Sequence, residues 1–179
     1  MLTATPSVTP LPAPVLADIV GGLAAACDLW RGLVRHDPDG RHPVRLLATE
    51  AYEVWLIGWA RGQGVRVHDH GPSAGAFVVT EGELTEVLPC RGGGDAVERA
   101  LGPGRVRDLA VGTVHDVVNR SDTTATSLHV YSPGLTTMTY YDPTTLLPME
   151  TATIVPERPA LGPSAGTYAL HPARRRDRP

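Results

Sequence analysis

The hydrophobic pattern of the chain predicts one helical segment followed by many short strands. Between Val15 and about Arg35, apolar residues recur at steps of three and four, which is the spacing of an amphipathic helix. Gly21 and Gly22 lie in the middle of this segment, so the pattern fits either one helix or two short helices hinged at the glycines. The turn-forming run HDPDGRHP then ends the helical pattern.

After Arg35 the pattern changes to short apolar or alternating runs between turn residues, which is typical of β-strands. The 19 glycines and 17 prolines also favour a turn-rich β protein. We expect strands in YEVWLIGWA, VRVHDH, GAFVVTEG, ELTEVLP, GRVRDLAV, VHDVVN, TSLHVYS, MTYYD and TATIV. Their number and spacing predict a mostly β fold, an antiparallel sandwich or jelly-roll barrel. We interpret CRGGGDAVERA as a glycine-rich hairpin loop.

The length and the two ends of the chain indicate one domain with irregular termini. A chain of 179 residues is long enough for one substantial core. Residues 1–14 carry four prolines and no periodic pattern, so we expect an irregular arm. Residues 15–160 are predicted to form the domain, with its helix first. Residues 161–179 end in RRRDRP and are predicted to be an irregular basic tail.

Charge and cysteine content argue against several kinds of partner. The net charge of -3 gives no overall attraction to nucleic acid or to anionic membranes. No stretch approaches the roughly 20 apolar residues of a membrane span. The two cysteines, Cys27 and Cys90, lack the spacing of a metal site and are too few for a disulfide framework. We therefore predict free thiols in a cytoplasmic protein that binds neither nucleic acid nor membrane.

The segment HDHGPSAGAF contains the first candidate chemistry. His68 and His70 are two residues apart on a predicted strand, so their side chains leave the same face of the sheet. If this face points inward, both imidazoles can reach one metal ion. If it is a polar face, the two histidines are ordinary surface residues. The residues around the pair decide between these readings.

Two spaced motifs surround these histidines and resemble the two conserved motifs of the cupin superfamily. The first motif consists of Gly62, His68, His70, Gly75 and Gly82, and Gly75 replaces the usual glutamate ligand. The second consists of Gly104, Ala110, Gly112, His115 and Asn119, and Ala110 replaces the usual proline. The resemblance implies a β-barrel that holds a metal between His68, His70 and His115 without a carboxylate. Imidazole ligands suit iron, zinc, copper or nickel.

A third segment, TSLHVYSP, narrows the resemblance. Ser127, His129 and Tyr131 alternate with apolar residues, so their side chains share one face of a strand. With the two motifs, this segment closely resembles the thiol dioxygenases, in particular the cysteine dioxygenases, from about Arg45 to Asp142. The family implies Fe(II) at the histidines, with Tyr131 near the metal, His129 bonded to the tyrosine and Ser127 behind it. Gly75 occupies the position of a cysteine that many relatives cross-link to the tyrosine, so no thioether is expected.

The resemblance also implies a substrate and an arginine that binds it. The expected reaction adds both atoms of O2 to L-cysteine and yields cysteine sulfinic acid. Arg45, upstream of the first motif, is the expected partner of the substrate carboxylate, and Arg66 is the rival assignment. The alternatives are a dioxygenase of another small thiol, such as mercaptopropionate or cysteamine, and a cupin that binds a metal or ligand without turnover. We predict a monomer.

Overall fold

The computed structural model describes residues 9–92, 94–155 and 159–161. One α-helix, α1 (Ala13–Ala25), and two 3-10 turns, Cys27–Leu29 and Arg31–Leu33, precede a series of eleven strands. The strands are β1 (Val44–Ala48), β2 (Glu53–Trp59), β3 (Gly64–His68), β4 (Ala74–Glu81), β5 (Leu84–Leu88), β6 (Val97–Leu101), β7 (Val106–Leu109), β8 (His115–Val118), β9 (Ala125–Ser132), β10 (Thr137–Tyr141) and β11 (Pro148–Thr153).

The strands form two antiparallel sheets with a common core. One sheet has the order β1-β2-β9-β4-β7 and the other β11-β10-β3-β8-β5-β6. Phe77 and Leu109 from the first sheet belong to the same buried cluster as Leu84, Leu101 and Val117 from the second. The predicted jelly-roll architecture is therefore confirmed. Its interior lies between the two sheets, where the candidate chemistry is also found.

Helix α1 covers the outer face of the five-stranded sheet. It begins directly after Pro12 and runs through Gly21 and Gly22, so the single helix is the one of the two predicted alternatives that forms. Glycine costs a helix only about 1 kcal/mol, which the burial of Leu16 and Val20 offsets. The helical path breaks instead at Ala26, and the two 3-10 turns follow.

Two strands lie outside the sequence prediction. Residues 97–100 of strand β6 belong to CRGGGDAVERA, for which the sequence predicts a hairpin loop. Four of its five residues are exposed, and the strand is an edge strand paired with β5, so it carries no hydrophobic alternation for a sequence pattern to reveal. Strand β1 is the edge of the other sheet and pairs with β2. Its main chain also accepts hydrogen bonds from the amides of Ala160 and Leu161.

The described residues cover most of the predicted domain. The arm predicted for 1–14 already contains the start of α1, and residues 1–8 lie outside the described residues, as do 162–179 of the predicted tail. The single domain over 15–160 stays a prediction. Within the described ranges no single helix is long and apolar enough to cross a membrane, and α1 passes that test only together with Cys27–Leu33, at a bend of 78°.

Candidate metal centre

Three histidines converge at one end of the barrel interior. His68 is the last residue of β3, His70 follows two residues later, and His115 opens β8, where it pairs with His68. All three are buried, and one ring nitrogen from each lies within 4.8 Å of the others. The Nε2 atoms of His68 and His70 are 3.2 Å apart. The structure thus brings together the three residues that the sequence assigned to one metal.

Hydrogen bonds set the orientation of two of these rings. His68 Nδ1 lies 2.8 Å from the backbone oxygen of Arg66, and His115 Nδ1 lies 3.1 Å from Oε1 of Glu86. A carbonyl oxygen and a carboxylate oxygen can only accept, so each Nδ1 carries the proton and each Nε2 keeps a lone pair. These lone pairs are available to a cation, as they are in histidines that ligate metals.

Burial also keeps two of the three rings neutral. Desolvation, reinforced by the neighbouring histidines, holds the pKa of both His68 and His70 well below the ordinary value for histidine. Neutral imidazoles that face one another in a buried site are the donor set that divalent transition metals take in proteins. The residues present therefore fit a metal ion bound by three imidazoles.

Gly75 explains why no carboxylate joins this set. It pairs with Tyr131 across β4 and β9, and a Cβ atom at Gly75 would lie 2.9 Å from Cδ1 of the Tyr131 ring. The tyrosine ring therefore occupies the space that a longer side chain at position 75 would need. Because glycine has no sulfur, no thioether to Tyr131 can form here.

A chain of polar contacts runs behind the cluster along β9. Trp59 Nε1 donates to Ser127 Oγ at 2.8 Å, Ser127 Oγ lies 2.8 Å from His129 Nε2, and His129 Nδ1 lies 3.2 Å from the Tyr131 hydroxyl. The ring of Tyr131 is close to His70, with centroids 4.7 Å apart. The three residues predicted to share one face thus form one hydrogen-bonded line that ends beside a histidine of the cluster.

Burial changes the acidity of both ionisable groups in this line. Desolvation, reinforced by the neighbouring His115 and Arg41 side chains, lowers the pKa of His129 to about 3, so its ring is neutral near pH 7. Desolvation, with the nearby Glu53 carboxylate, raises the pKa of Tyr131 far above the ordinary value for tyrosine. The Tyr131 hydroxyl therefore keeps its proton and can serve as a hydrogen-bond donor.

A cavity beside the cluster, which we call the histidine cavity, contains one buried cation. Arg41 lines it, exposes 9% of its surface and holds its guanidinium carbon 4.9 Å from the centre of the Trp59 ring. Burial lowers the pKa of Arg41 to about 10, so the group stays charged at pH 7. The lining consists of Arg41, Pro43, Trp55, Ile57, Trp59, Val65, His68, His115, Val117, His129, Tyr131, Leu135, Met138, Tyr140 and Ile154.

The two arginines suggested by the sequence lie elsewhere. Arg45 forms an ion pair with the buried carboxylate of Glu53, with 2.8 Å between Nε and Oε2. Arg66 is half-exposed and pairs with Glu150 at 2.9 Å. Among the described residues, neither lines the histidine cavity. The structure thus brings Arg41, and not Arg45 or Arg66, into the histidine cavity.

Sequence reasoning passed over two polar residues of the site. Arg41 lies in the turn-forming run before β1, and nothing in such a run indicates which side chain turns inward. Glu86 did carry a sequence signal, because it lies between Leu84 and Leu88 on the same face of β5. A carboxylate in an apolar stripe indicates a buried group that requires a partner.

The sequence and the structure were each compared with known proteins. A family model described as cysteine dioxygenase type I matches residues 13–144, which is more than half of the chain. The protein TT1209 from Thermus thermophilus is similar in structure, with 26% identity, a TM-score of 0.51 and coverage of 58% of this chain and 93% of that one.

Two further solved structures are similar at lower scores. A cupin superfamily protein from Desulfitobacterium hafniense has 14% identity and a TM-score of 0.49 over 57% of this chain and 86% of that one. An oxalate oxidase in complex with glycolate has 19% identity and a TM-score of 0.46 over 53% of this chain, and the chain spans 52% of its length.

Proposed function

Since the chain belongs to the cysteine dioxygenase type I family, we propose that it is an iron-dependent dioxygenase of L-cysteine. The reaction adds both atoms of O2 to the thiol sulfur and leaves a sulfinic acid, so that RSH and O2 become RSO2H. One observation carries the proposal: three buried imidazoles converge within 4.8 Å, and the cavity that His68 and His115 line also contains one buried guanidinium. The first group suits a metal and the second suits a carboxylate.

The three histidines would hold the metal through their Nε2 atoms. Ferrous iron bound there would supply the electron-transfer chemistry that O2 needs in order to react with a thiol. The protein contributes a dry site, because His68, His70 and His115 each expose 3% of their surface or less. Three ligands leave coordination positions open, so a substrate thiol and O2 can both approach.

Arg41 is the proposed anchor for the substrate carboxylate. Within the described part of the chain, its buried Nε makes no hydrogen bond. A buried donor of this kind costs free energy unless something pairs with it, and a carboxylate accepts two parallel bonds from a guanidinium. Substrate binding would therefore satisfy Arg41 and orient the thiol end of the molecule toward the histidines.

Tyr131 is the proposed hydrogen-bond donor to the reacting atoms. Ser127 Oγ already accepts from Trp59, and His129 Nε2 is the acceptor available to its hydroxyl among the described contacts. His129 Nδ1 then carries the proton and donates to the Tyr131 oxygen, which leaves the Tyr131 proton free to point toward the substrate. A donor fixed in this way stabilises charge that develops during the reaction.

The size of the histidine cavity favours a small thiol. The space open to a water-sized sphere is about 40 Å³, or room for roughly three water molecules. A free amino acid or a short mercapto acid is nearer to this size than a peptide. A peptide thiol would need the surrounding strands to move apart.

One feature of the lining favours a second candidate substrate, 3-mercaptopropionate. Among the described residues that line the histidine cavity there is no aspartate or glutamate. The ammonium group of cysteine would therefore find no carboxylate partner in the lining. A mercapto acid without an amine satisfies Arg41 equally well and leaves no cation to be paired.

Oxygen consumption tests the proposal. The protein is loaded with Fe(II) under anaerobic conditions and then given O2 with L-cysteine, 3-mercaptopropionate or cysteamine in separate reactions. We expect faster uptake with the two carboxylated thiols than with cysteamine, and a product that carries two labelled oxygens from 18O2 by mass spectrometry. Bound iron without uptake for any thiol would instead indicate a cupin that binds metal without turnover.

Tyr131→Phe is expected to keep iron and substrate binding while it lowers kcat. The change removes one hydroxyl and little volume, so the tilted ring contact with His70 remains. Loss of a donor to developing charge costs about 10- to 1000-fold in rate. Steady-state oxygen uptake gives kcat, and metal content is measured on the same sample.

Tyr52→Phe is the control, because Tyr52 packs on the opposite side of the five-stranded sheet. An unchanged kcat in Tyr131→Phe would show that the hydroxyl has only a structural role.

A further inference from the structure

Glu86 is a fully buried carboxylate that lies behind one histidine of the cluster. It belongs to β5, which pairs with β8 so that Glu86 lies opposite Val117. His115 is two residues before Val117 and therefore faces the same side of the sheet. A long side chain on one strand reaches such a diagonal neighbour on the next, and this position brings the Glu86 carboxylate to His115.

The two carboxylate oxygens of Glu86 have different partners. Oε2 lies 2.7 Å from Arg107 Nε and 3.7 Å from Arg99 Nη1, which balances the buried charge. Oε1 lies 3.1 Å from His115 Nδ1. Arg107 is on β7 of the other sheet and shares the inward face with Leu109, so the carboxylate is held from both sides of the barrel. This leaves Oε1 fixed in direction and aimed at the histidine.

The contact distinguishes His115 from the other ring whose Nδ1 partner is known. His68 is bonded to a neutral backbone carbonyl, whereas His115 is bonded to an ion. A carboxylate partner fixes the tautomer and the ring plane and makes the opposite nitrogen a stronger electron donor. It also brings one negative charge near a site where Gly75 provides none.

We propose that Glu86 is a positioning residue that holds His115 with Nε2 toward the metal and strengthens that nitrogen as a ligand. The proposal rests on the metal-binding part of the proposed function and is independent of which thiol is oxidised. It assigns to Glu86, through His115, the electrostatic role that a directly bound carboxylate has in other sites. Arg107 then holds the Glu86 carboxylate in the position from which it contacts His115.

Cobalt binding tests this assignment without any need for turnover. Co(II) affinity is measured by competition with a chelator, and the absorption spectrum of the bound ion reports on the ligand field. Glu86→Gln keeps the shape of the side chain and removes its charge, and it is expected to weaken Co(II) binding about 10- to 100-fold and to shift the spectrum. Glu98→Gln is the matched control, because it also removes a glutamate from an arginine pair, but on the exposed edge strand β6.

The outcomes separate the two proposals. A folded Glu86→Gln protein with native Co(II) affinity and spectrum would overturn the role of Glu86. Weakened binding in Glu86→Gln, combined with no oxygen uptake by the iron-loaded native protein, would leave that role intact and contradict the proposed function. Native protein that binds no divalent metal would overturn both.

A second measurement on the native protein does not depend on the folding of a variant. In the Zn(II)-loaded protein with 15N-labelled histidine, NMR identifies which ring nitrogen of His115 carries the proton. We expect a protonated Nδ1 whose hydrogen is strongly deshielded and slow to exchange, as for a buried bond to a carboxylate. The resonance is assigned by its absence in His115→Asn. A protonated Nε2 on His115, or a rapidly exchanging Nδ1 proton, would overturn the proposal.

Discussion

Replacing His68, His70 or His115 with alanine is expected to abolish tight metal binding and, with it, turnover. Structural zinc sites contribute about 10–16 kcal/mol over four ligands, so the loss of one ligand should weaken binding by about 100-fold or more. The effect should be similar at all three positions, because the three rings converge on one point and are all buried. Metal content after dialysis and chelator competition measure it directly.

His42→Ala serves as the control for these variants. His42 is partly exposed and is hydrogen-bonded to Asp37, with 2.8 Å between Nε2 and Oδ2, so its loss should affect neither metal content nor oxygen uptake. Circular dichroism of each metal-free variant excludes general misfolding as the cause. Native metal affinity in any one of the three cluster variants would remove that residue from the site.

Arg41→Ala is expected to lower kcat/KM selectively for thiols that carry a carboxylate. Truncating one partner of a buried charge pair costs about 2–5 kcal/mol, which is about 30-fold to several thousandfold in kcat/KM. Cysteamine has no carboxylate and should show little change. The ratio of kcat/KM for L-cysteine to that for cysteamine is therefore the informative quantity, because damage to folding or iron loading affects both substrates.

Arg45→Ala is the comparison variant, since the sequence indicated Arg45 for the same role. It breaks the pair with Glu53, whose side chain is 1% exposed, and the loss of one partner of a buried pair costs about 3–5 kcal/mol of folding stability. We expect a lower melting temperature with an unchanged ratio between the two thiols. A selective loss of L-cysteine activity in Arg45→Ala, with Arg41→Ala unchanged, would return the carboxylate-binding role to Arg45.

Site residues are predicted best from the sequence where their grouping depends on local periodicity. Residues two apart on a strand lie on the same face. From the sequence alone, this rule groups His68 with His70, and Ser127 with His129 and Tyr131. In the structure the Nε2 atoms of the two histidines are 3.2 Å apart. The other three side chains form one line of hydrogen bonds. His115 is remote in sequence, and it joined the set only through its resemblance to a spaced motif.

Secondary structure is predicted less well from the sequence where an element has no hydrophobic pattern. Strand β6 forms because its main chain pairs with β5, and its exposed side chains leave no pattern. The helix continues through Gly21 and Gly22 because its buried face packs on the sheet. In both cases tertiary contacts outweigh the local preference, and a sequence pattern contains only the local preference.

The sequence by itself determined the jelly-roll class, the three histidines and the line from Ser127 to Tyr131, because each of these follows from strand periodicity or from the resemblance to the motifs of a known family. Only the tertiary structure decided which arginine enters the histidine cavity and which carboxylate supports His115. Arg45 turns to Glu53, Arg66 turns to Glu150, and Arg41 alone of these three enters the cavity. Long charged side chains go where a partner of opposite charge or an aromatic face is available, and that depends on how distant strands are placed in space.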